Sequence, residues 1–321
     1  MDAVSVPKKQ RVRRHSKPFS ARFVDDMRRN WGLYVMVIPV LAFYGIFQYG
    51  PMYGAVIAFQ NFRPALGIGG STWVGLAHFR DFFDSVFSTR IIVNTVRISV
   101  LRLLFEFPAP IFLALLINEV KHKYFARTVQ TITYMPFFIS IIVVAGLIRT
   151  FVGEHGIITQ FFGIFGFAPR NMLNEVRLFL PVLILSDIWQ SVGWGSIIFL
   201  AALQGIDQEQ YEAAAIDGAG RFKQTIHVTL PGIMPTIIIL LILRMGTMMT
   251  VGAEKILLLY NPMTWEVSDV IGTFVYRRGL LDMQFSYATA VGLFNSVVNV
   301  MFLLSANYLS RRVSRDGTSL F

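Results

Sequence analysis

The sequence predicts an all-α, polytopic integral membrane protein with six transmembrane helices. Of its 321 residues 54% are hydrophobic and only 15% are charged, and the apolar residues gather in six long runs. About 20 apolar residues cross the roughly 30 Å hydrocarbon core of a bilayer, and a soluble domain of this length would not carry six such runs. Helices are predicted because a single segment in lipid must satisfy its own backbone hydrogen bonds. The predicted spans are 33–59, 91–117, 129–151, 178–203, 233–251 and 288–309.

The composition excludes several kinds of site. The chain has no cysteine, which excludes disulfides and thiolate metal sites. Its five histidines lie in separate polar segments without ligand-like spacing, so no metal site is predicted. No GxxxxGK[ST] phosphate-binding motif is present, because the dipeptide Gly-Lys does not occur. We therefore expect no catalytic residues and no ATPase activity in this chain itself.

Basic residues predict the orientation of the chain. Nine of the first thirty residues are Lys or Arg. The string KKQRVRR alone could bind nucleic acid or anionic lipid, but the favoured interpretation is a cytoplasmic tail that follows the positive-inside rule, with no nucleic-acid partner. With six spans, the inner segments (the tail, 120–128, 207–232 and the C-terminus) hold 17 of the 29 Lys and Arg residues. The predicted organisation is a cytoplasmic tail at 1–30, a transmembrane domain at 31–310 and a cytoplasmic C-terminal tail at 311–321.

The first predicted span contains Gly50-Pro51-Met52-Tyr53-Gly54, where we expect a kink or an end of the helix. Residues 60–90 form the first outer segment, which is predicted to contain turns and a short interfacial helix. Trp73 and Phe79 are expected near the lipid headgroups.

Charged residues within the predicted spans need polar surroundings. The second span contains Arg97, Arg102 and Glu106, and the fifth contains Arg244. Each charge costs roughly 2.5–3.5 kcal/mol at mid-membrane on insertion scales, so each should face protein or water. Arg102 and Glu106 are four residues apart and are expected to pair on one helix face. Arg97 and Arg244 have no evident local partner, and two interpretations stay open: interhelical pairing, or the lining of a cavity for an anionic or hydroxylated substrate.

The fourth predicted span combines aromatic and polar side chains. Trp189 and Trp194 lie near Asp187 and Gln190. Sugar rings stack on aromatic faces while amides and carboxylates bind hydroxyls, although membrane tryptophans are more often interface anchors. In the last outer loop, Tyr276, Arg277 and Arg278 are expected in a solvated loop, with contact to a substrate-delivering protein as the alternative. The candidate translocation-pathway residues are Arg97, Asp187, Trp189, Gln190, Trp194 and Arg244.

A polar segment, residues 207–231, separates two strongly apolar ones and is here called the elbow. Its sequence is DQEQYEAAAIDGAGRFKQTIHVTLP. Asp207 and Gln210 predict a capping box that begins a short helix, and Gly218 and Gly220 predict its end. A second short helix is predicted at 221–228, followed by Pro231 in the first turn of the next span. On pattern alone, an ordinary amphipathic connector is equally open.

The elbow resembles the EAA loop of ABC importer permeases. The matching residues are Glu212, Ala213, Ala214, Gly218, Val228, Leu230 and Pro231, with Val228 where isoleucine is commoner. The segment YEAAAIDGA is similar to the corresponding segment in the carbohydrate-uptake branch of that family. The stretches IPVLAFYGIFQYGPMYGAVIAF and YNPMTWEVSDVIGTFVYRRGL also resemble oligosaccharide and polysaccharide importer permeases, so the resemblance covers nearly the whole chain after residue 30.

This resemblance implies a type I ABC importer permease with both termini cytoplasmic, in a bacterial cytoplasmic (inner) membrane. The implied partners are the lipid bilayer, a second homologous permease, two ATP-binding subunits that hold ATP and Mg²⁺, and an external solute-binding protein. The implied substrate is an oligo- or polysaccharide, alginate among them. The residues implied to couple the permease to the ATPase are Glu212, Ala213, Ala214, Asp217, Gly218, Leu230 and Pro231.

Three other functions stay open: an ABC permease for a non-sugar solute, a secondary transporter driven by an ion gradient, and a membrane scaffold. A secondary transporter is expected to show inverted repeats or carboxylates in broken helices, and the sequence shows neither clearly. A scaffold would need no charges within its spans.

Overall fold

Helices make up nearly all of the regular secondary structure. The computed structural model describes residues 27–313, and six helical stretches within them are long and apolar enough to cross a membrane. These spans are Trp31–Phe59, Ser88–Asn118, Ile141–Ile164, Val176–Gln204, Arg221–Met245 and Phe285–Arg311. The prediction of an all-α protein with six spans is confirmed. The predicted tails lie largely outside the described residues.

The first span is a helix whose winding changes along its length. It is α-helical at Trp31–Phe43, π-helical at Tyr44–Tyr49, and a 3-10 helix at Tyr53–Phe59. The predicted interruption at Pro51 shows as this change of winding, because proline has no N–H to donate and the turn before it must adjust. The chain divides into two compact units, one ending at Ala55 and one beginning at Val56.

The other spans differ in how continuous they are. The second joins Ser88–Leu101, a π-helical turn at Arg102–Glu106, and Pro108–Asn118. The fourth is a single helix, Val176–Gln204, and so is the sixth, Phe285–Val313. Shorter elements between the spans include the paired antiparallel strands Gln60–Asn61 and Thr72–Trp73, the helices Gly67–Gly70, Ala77–Asp84, Met172–Asn174, Ala253–Leu259, Pro262–Thr264, Trp265–Ser268 and Ile271–Tyr276, and a π-helix at Arg277–Leu281.

The predicted bounds of the third span, 129–151, are wrong. The run contains two helices, Lys123–Tyr134 and Ile141–Val152, and the span continues through Ile157–Ile164. Pro136 lies in a 3-10 turn, Met135–Phe138, and the backbone is extended at Ile139, which breaks the helix. Hydropathy alone does not detect this break because the residues around it are apolar.

The fifth span begins earlier than predicted. Its helix starts at Arg221 and runs through a π-helical turn, Thr225–Thr229, into Leu230–Met245. The predicted separate helix at 221–228 is therefore the end of this span that adjoins the elbow. A π turn before Pro231 contains one residue more per turn, which lets the helix pass the proline without ending.

Apolar side chains join the spans in three clusters, and one of them lies beside the elbow. This cluster contains Ala114, Phe199, Leu203 and Ile233, from the second, fourth and fifth spans, and Ile206 packs against it. Close packing extends to the backbone, since a Cβ atom on Gly193 of the fourth span would overlap the backbone carbonyl of Thr133. The helix Lys123–Tyr134 and the fourth span are thus in backbone contact.

Candidate functional site

The elbow begins with a capped helix. The Asp207 side chain accepts a hydrogen bond from the backbone N–H of Glu209 at 3.0 Å, and the helix covers Gln208–Ile216. A start of the helix at Asp207 agrees with the prediction, although the capped amide belongs to Glu209 and not to Gln210. The carboxylate satisfies one of the free N–H groups of the first turn and favours its positive dipole end.

The elbow helix ends in a left-handed turn at Gly218. Its φ is +77°, the N–H of Gly218 donates to the carbonyl of Ala215 at 3.0 Å, and the N–H of Ala219 donates to that of Ala214 at 2.9 Å. These two bonds form a Schellman motif, in which glycine is preferred because a side chain disfavours left-handed dihedrals. The second predicted breaker, Gly220, has φ −69° and caps the fifth span.

Side-chain hydrogen bonds connect the elbow helix and its turn to the fifth span. The Tyr211 hydroxyl lies 3.0 Å from the hydroxyl of Thr229, and the Gln224 side chain donates to the carbonyl of Ala219 at 2.9 Å. Ile206, directly before the cap, packs into the apolar cluster of the second, fourth and fifth spans. The elbow helix is therefore connected by direct contacts to three spans.

The elbow presents apolar and acidic side chains outward. Ile216 is 87% exposed and Phe222 is 78% exposed, and Glu212 is exposed without a hydrogen bond or ion pair to another described residue. Ile216 and Glu212 lie on the elbow helix, and Phe222 lies on the helix that follows the turn. Exposed side chains of this kind make a surface that another protein can cover.

A chain of charged side chains connects four segments of the protein. The guanidinium of Arg102 donates to Asp187 Oδ2 through Nε at 3.0 Å and Nη2 at 2.5 Å. The ammonium of Lys255 donates to Asp187 Oδ1 at 2.8 Å and to Gln190 at 3.2 Å. We call Lys255, Asp187, Arg102, Glu106 and Arg244 the charge network.

Glu106 connects Arg244 to this network. Arg244 Nη2 donates to Glu106 Oε2 at 2.8 Å, and the same oxygen lies 3.7 Å from Arg102 Nε. The expected Arg102–Glu106 pair is therefore present, but Arg102 makes its shorter contacts with Asp187. Arg244 has no local partner, as expected, and of its two open interpretations the structure shows interhelical pairing, with a partner 138 residues away in sequence.

The other predicted pathway residues lie in different surroundings. Arg97 is exposed and makes no ion pair with a described residue. Trp194 stacks on Phe137 with ring centroids 4.7 Å apart, which fixes its ring against the turn before the third span. Asp187 belongs to the charge network, and the side chain of Gln190 accepts a hydrogen bond from Lys255 of that network. Their role in a pathway stays a prediction.

Trp189 lines a separate apolar cavity of about 860 Å³ between the third and fourth spans. Its wall also includes Phe151, Ile158, Phe162, Leu178 and Leu185. Trp189 and Trp194 therefore contact different surroundings, and the structure does not bring the two predicted aromatic platforms together.

A second ionic cluster lies in the segment before the sixth span. Asp269 is buried and accepts from Arg277 Nη2 through both oxygens, at 2.9 and 2.7 Å, and Arg90 lies 3.6 Å from it. The Arg277 guanidinium also covers the Trp265 ring at 4.9 Å. Burial alone would lower the pKa of Arg277, but hydrogen bonds with Asp269 and Tyr260 raise it above its ordinary value. The prediction of a loop for Tyr276, Arg277 and Arg278 is wrong, because 271–281 is helical. Of the three side chains, Arg277 is held by these contacts and Tyr276 is exposed.

Sequence reasoning missed Lys255, Asp269 and the Glu106–Arg244 contact. Lys255 lies in the largely apolar segment AEKILLL, outside every predicted span. The residue is only 2% exposed. A lone lysine within an apolar helix is the signal that indicates a buried partner, but its position in sequence does not identify that partner.

Comparison with known proteins adds the family. Residues 106–315 match the family described as binding-protein-dependent transport system inner membrane component. The chain is 41% identical over 314 residues to protein LplB of Bacillus subtilis (strain 168), covering 98% of this chain and 99% of that protein. It is 40% identical over 318 residues to the polygalacturonan/rhamnogalacturonan transport system permease protein YteP of the same organism, covering 99% and 96%.

A solved structure has the same fold over most of the chain. It is that of a bacterial ABC transporter involved in the import of the acidic polysaccharide alginate, with 43% sequence identity, a TM-score of 0.84, and coverage of 92% of this chain and 100% of that one. A second structure of a bacterial alginate ABC transporter, in complex with an alginate pentasaccharide-bound periplasmic protein, is 42% identical with the same TM-score.

The six apolar helices, the elbow motif and these matches agree with one another. The chain belongs to the family of binding-protein-dependent transport system inner membrane components and is a multi-pass permease of the sugar ABC importer type.

Proposed function

We propose that this permease imports an acidic oligosaccharide, whose uronate carboxylates are matched by basic side chains within its membrane-spanning part. The observation that carries the proposal is the charge network: three cations and two carboxylates lie within the spans and the adjoining helix Ala253–Leu259. Exposed Arg97 adds a further positive charge. Charges in a membrane interior are costly and commonly mark the pathway of a charged substrate.

The relatives support an acidic substrate. One carries alginate, described as an acidic polysaccharide, and another is a permease for polygalacturonan and rhamnogalacturonan. Alginate, polygalacturonan and rhamnogalacturonan contain uronic acid units, which are anionic at neutral pH. We propose that a solute-binding protein delivers the substrate. The periplasmic protein in the structure of the alginate transporter complex supports this proposal.

The elbow is proposed to couple this permease to ATP-binding subunits. Its capped helix, its fixed turn at Gly218 and its exposed Ile216 and Phe222 suit docking in a cleft of a partner. A helix of nine residues is too short to be stable alone, so a partner surface is expected to cover it. A second permease is proposed to complete the pathway.

Reconstitution tests this function. The permease is purified with its partner subunits and placed in vesicles with ATP at the elbow side. We expect uptake of an oligogalacturonate or alginate oligosaccharide that requires both ATP and the binding protein, because the elbow transmits ATPase closure. Uptake that follows an ion gradient without ATP would contradict the ABC mechanism. ATP-dependent uptake of neutral solutes alone would contradict the acidic substrate.

Orientation is a separate prediction. Because the chain has no native cysteine, introduced cysteines give an unambiguous label. Val86, which is 92% exposed before the second span, is expected outside, and Lys121, exposed after that span, inside. In intact cells an impermeant thiol reagent should therefore modify Val86→Cys and spare Lys121→Cys, and permeabilised cells should show both modified. The reverse labelling in intact cells would show that the elbow is outside.

A further inference from the structure

The charge network has one more cation than carboxylates. Lys255 and Arg102 share Asp187, and Arg102 and Arg244 share Glu106. Three positive and two negative charges leave one positive charge without an anion. In surroundings of low dielectric constant such an excess is unfavourable unless a further anion is at hand.

The excess charge reaches the surface at Arg244. The side chains of Lys255 and Arg102 are buried, whereas that of Arg244 is 38% exposed. Lys255 and Arg102 are also held by Asp187 at 3.0 Å or less. Arg244 has a single described anionic partner, Glu106, through one of its guanidinium nitrogens. An external anion can therefore contact this network at Arg244.

Glu106 can leave Arg244 without becoming an isolated charge. Its carboxylate lies 3.7 Å from Arg102 Nε, so a small movement toward Arg102 keeps it paired. Glu106 also ends the π-helical turn Arg102–Glu106, a local winding that is frequent where a helix carries a functional residue.

We propose that Arg244 binds a carboxylate of the substrate and that Glu106 occupies its guanidinium until the substrate arrives. The exchange replaces one carboxylate by another at the same guanidinium, and Glu106 moves to Arg102. Two carboxylates face the three cations before the exchange and three face them afterwards, which neutralises the excess positive charge. This inference depends on the proposed import of an acidic oligosaccharide and identifies one residue that recognises it.

The test compares two substrates of equal length in the reconstituted complex: an oligogalacturonate and the same oligomer with its carboxylates reduced to alcohols. In Arg244→Gln the KM for the acidic oligomer should rise about 10- to 100-fold, the range of a hydrogen bond to a charged group, and the KM for the neutral oligomer should change little. Arg244→Lys, which keeps the charge without the planar fork, should lie between. Glu106→Gln should lower the KM for the acidic oligomer, since the competing carboxylate is removed.

Arg170→Gln is the matched control, because Arg170 forms an arginine–glutamate pair with Glu175 at 3.4 Å in an outer segment. Co-purification of all subunits checks assembly of each variant. An equal change for both oligomers in Arg244→Gln, or the same selective loss in Arg170→Gln, would overturn the assignment. If the wild-type complex does not distinguish the two oligomers, the proposed acidic substrate fails. If it does and Arg244→Gln preserves that distinction, this inference alone fails.

Discussion

Replacing Gly218 by valine should lower both substrate uptake and substrate-stimulated ATP hydrolysis while the permease still inserts in the membrane. Gly218 has φ +77° and no atom lies within 4 Å of an added Cβ, so the cost is backbone strain and not a clash. A side chain in this conformation costs about 1–2 kcal/mol, which lowers the ratio of native to altered elbow conformations by about 5–30-fold. Substrate-stimulated ATP hydrolysis and uptake, measured on the reconstituted complex, should fall accordingly.

Gly220→Val is the matched control for this variant. Gly220 is two residues away and an added Cβ also meets nothing within 4 Å, but its φ is −69°, a value that valine readily adopts.

Glu212→Lys should uncouple the complex for a different reason, because it reverses the charge of an exposed side chain at the docking surface; Glu212→Gln should have a smaller effect. Full ATPase stimulation in both Gly218→Val and Glu212→Lys would refute the coupling role of the elbow.

Asp187→Asn is expected to destabilise the permease more than any surface substitution. The carboxylate holds two buried cations, Arg102 at 2.5 Å and Lys255 at 2.8 Å. Removing one partner of a buried ion pair costs about 3–5 kcal/mol, because an uncompensated charge remains. The variant should give a low yield of monodisperse complex and a lower unfolding temperature in detergent.

The double variant Asp187→Asn/Lys255→Met should recover much of this loss. Removing the lysine returns the excess of the network to a single positive charge, and Glu106 stays near Arg102. Asp282→Asn makes the same chemical change in the exposed pair with Arg278, where a surface salt bridge contributes about 0–1 kcal/mol. If Asp187→Asn is no more harmful than Asp282→Asn, the network does not stabilise the fold.

The elbow could be predicted from sequence because its signals are local. A capping aspartate, an alanine-rich helix and a glycine at its end lie within twelve residues, and each acts on its own turn of backbone. Hydropathy located the six spans for the same reason. It misplaced the third span because Pro136 breaks the helix within an apolar run. It misplaced the fifth because the π turn before Pro231 lets the helix continue through the proline.

The charge network could not be predicted because its pairs are distant in sequence. Arg102 and Glu106 are four residues apart, and their pairing was foreseen from helix geometry. Asp187, Arg244 and Lys255 reach them only through the packing of the second, fourth and fifth spans and the helix Ala253–Leu259. The packing determines which charge meets which, and the sequence of one span does not contain that information.

The charge network also has a consequence for biosynthesis. Arg102 enters the membrane before its partner on the fourth span exists, since Asp187 is 85 residues later in the chain. At about 5–20 residues per second, the ribosome supplies Asp187 some 4–17 seconds after Arg102. During that interval Glu106 is the only carboxylate of the network beside Arg102, and a charge in lipid costs roughly 2.5–3.5 kcal/mol. We therefore expect the nascent second span to stay next to the insertion machinery until the fourth span has been inserted.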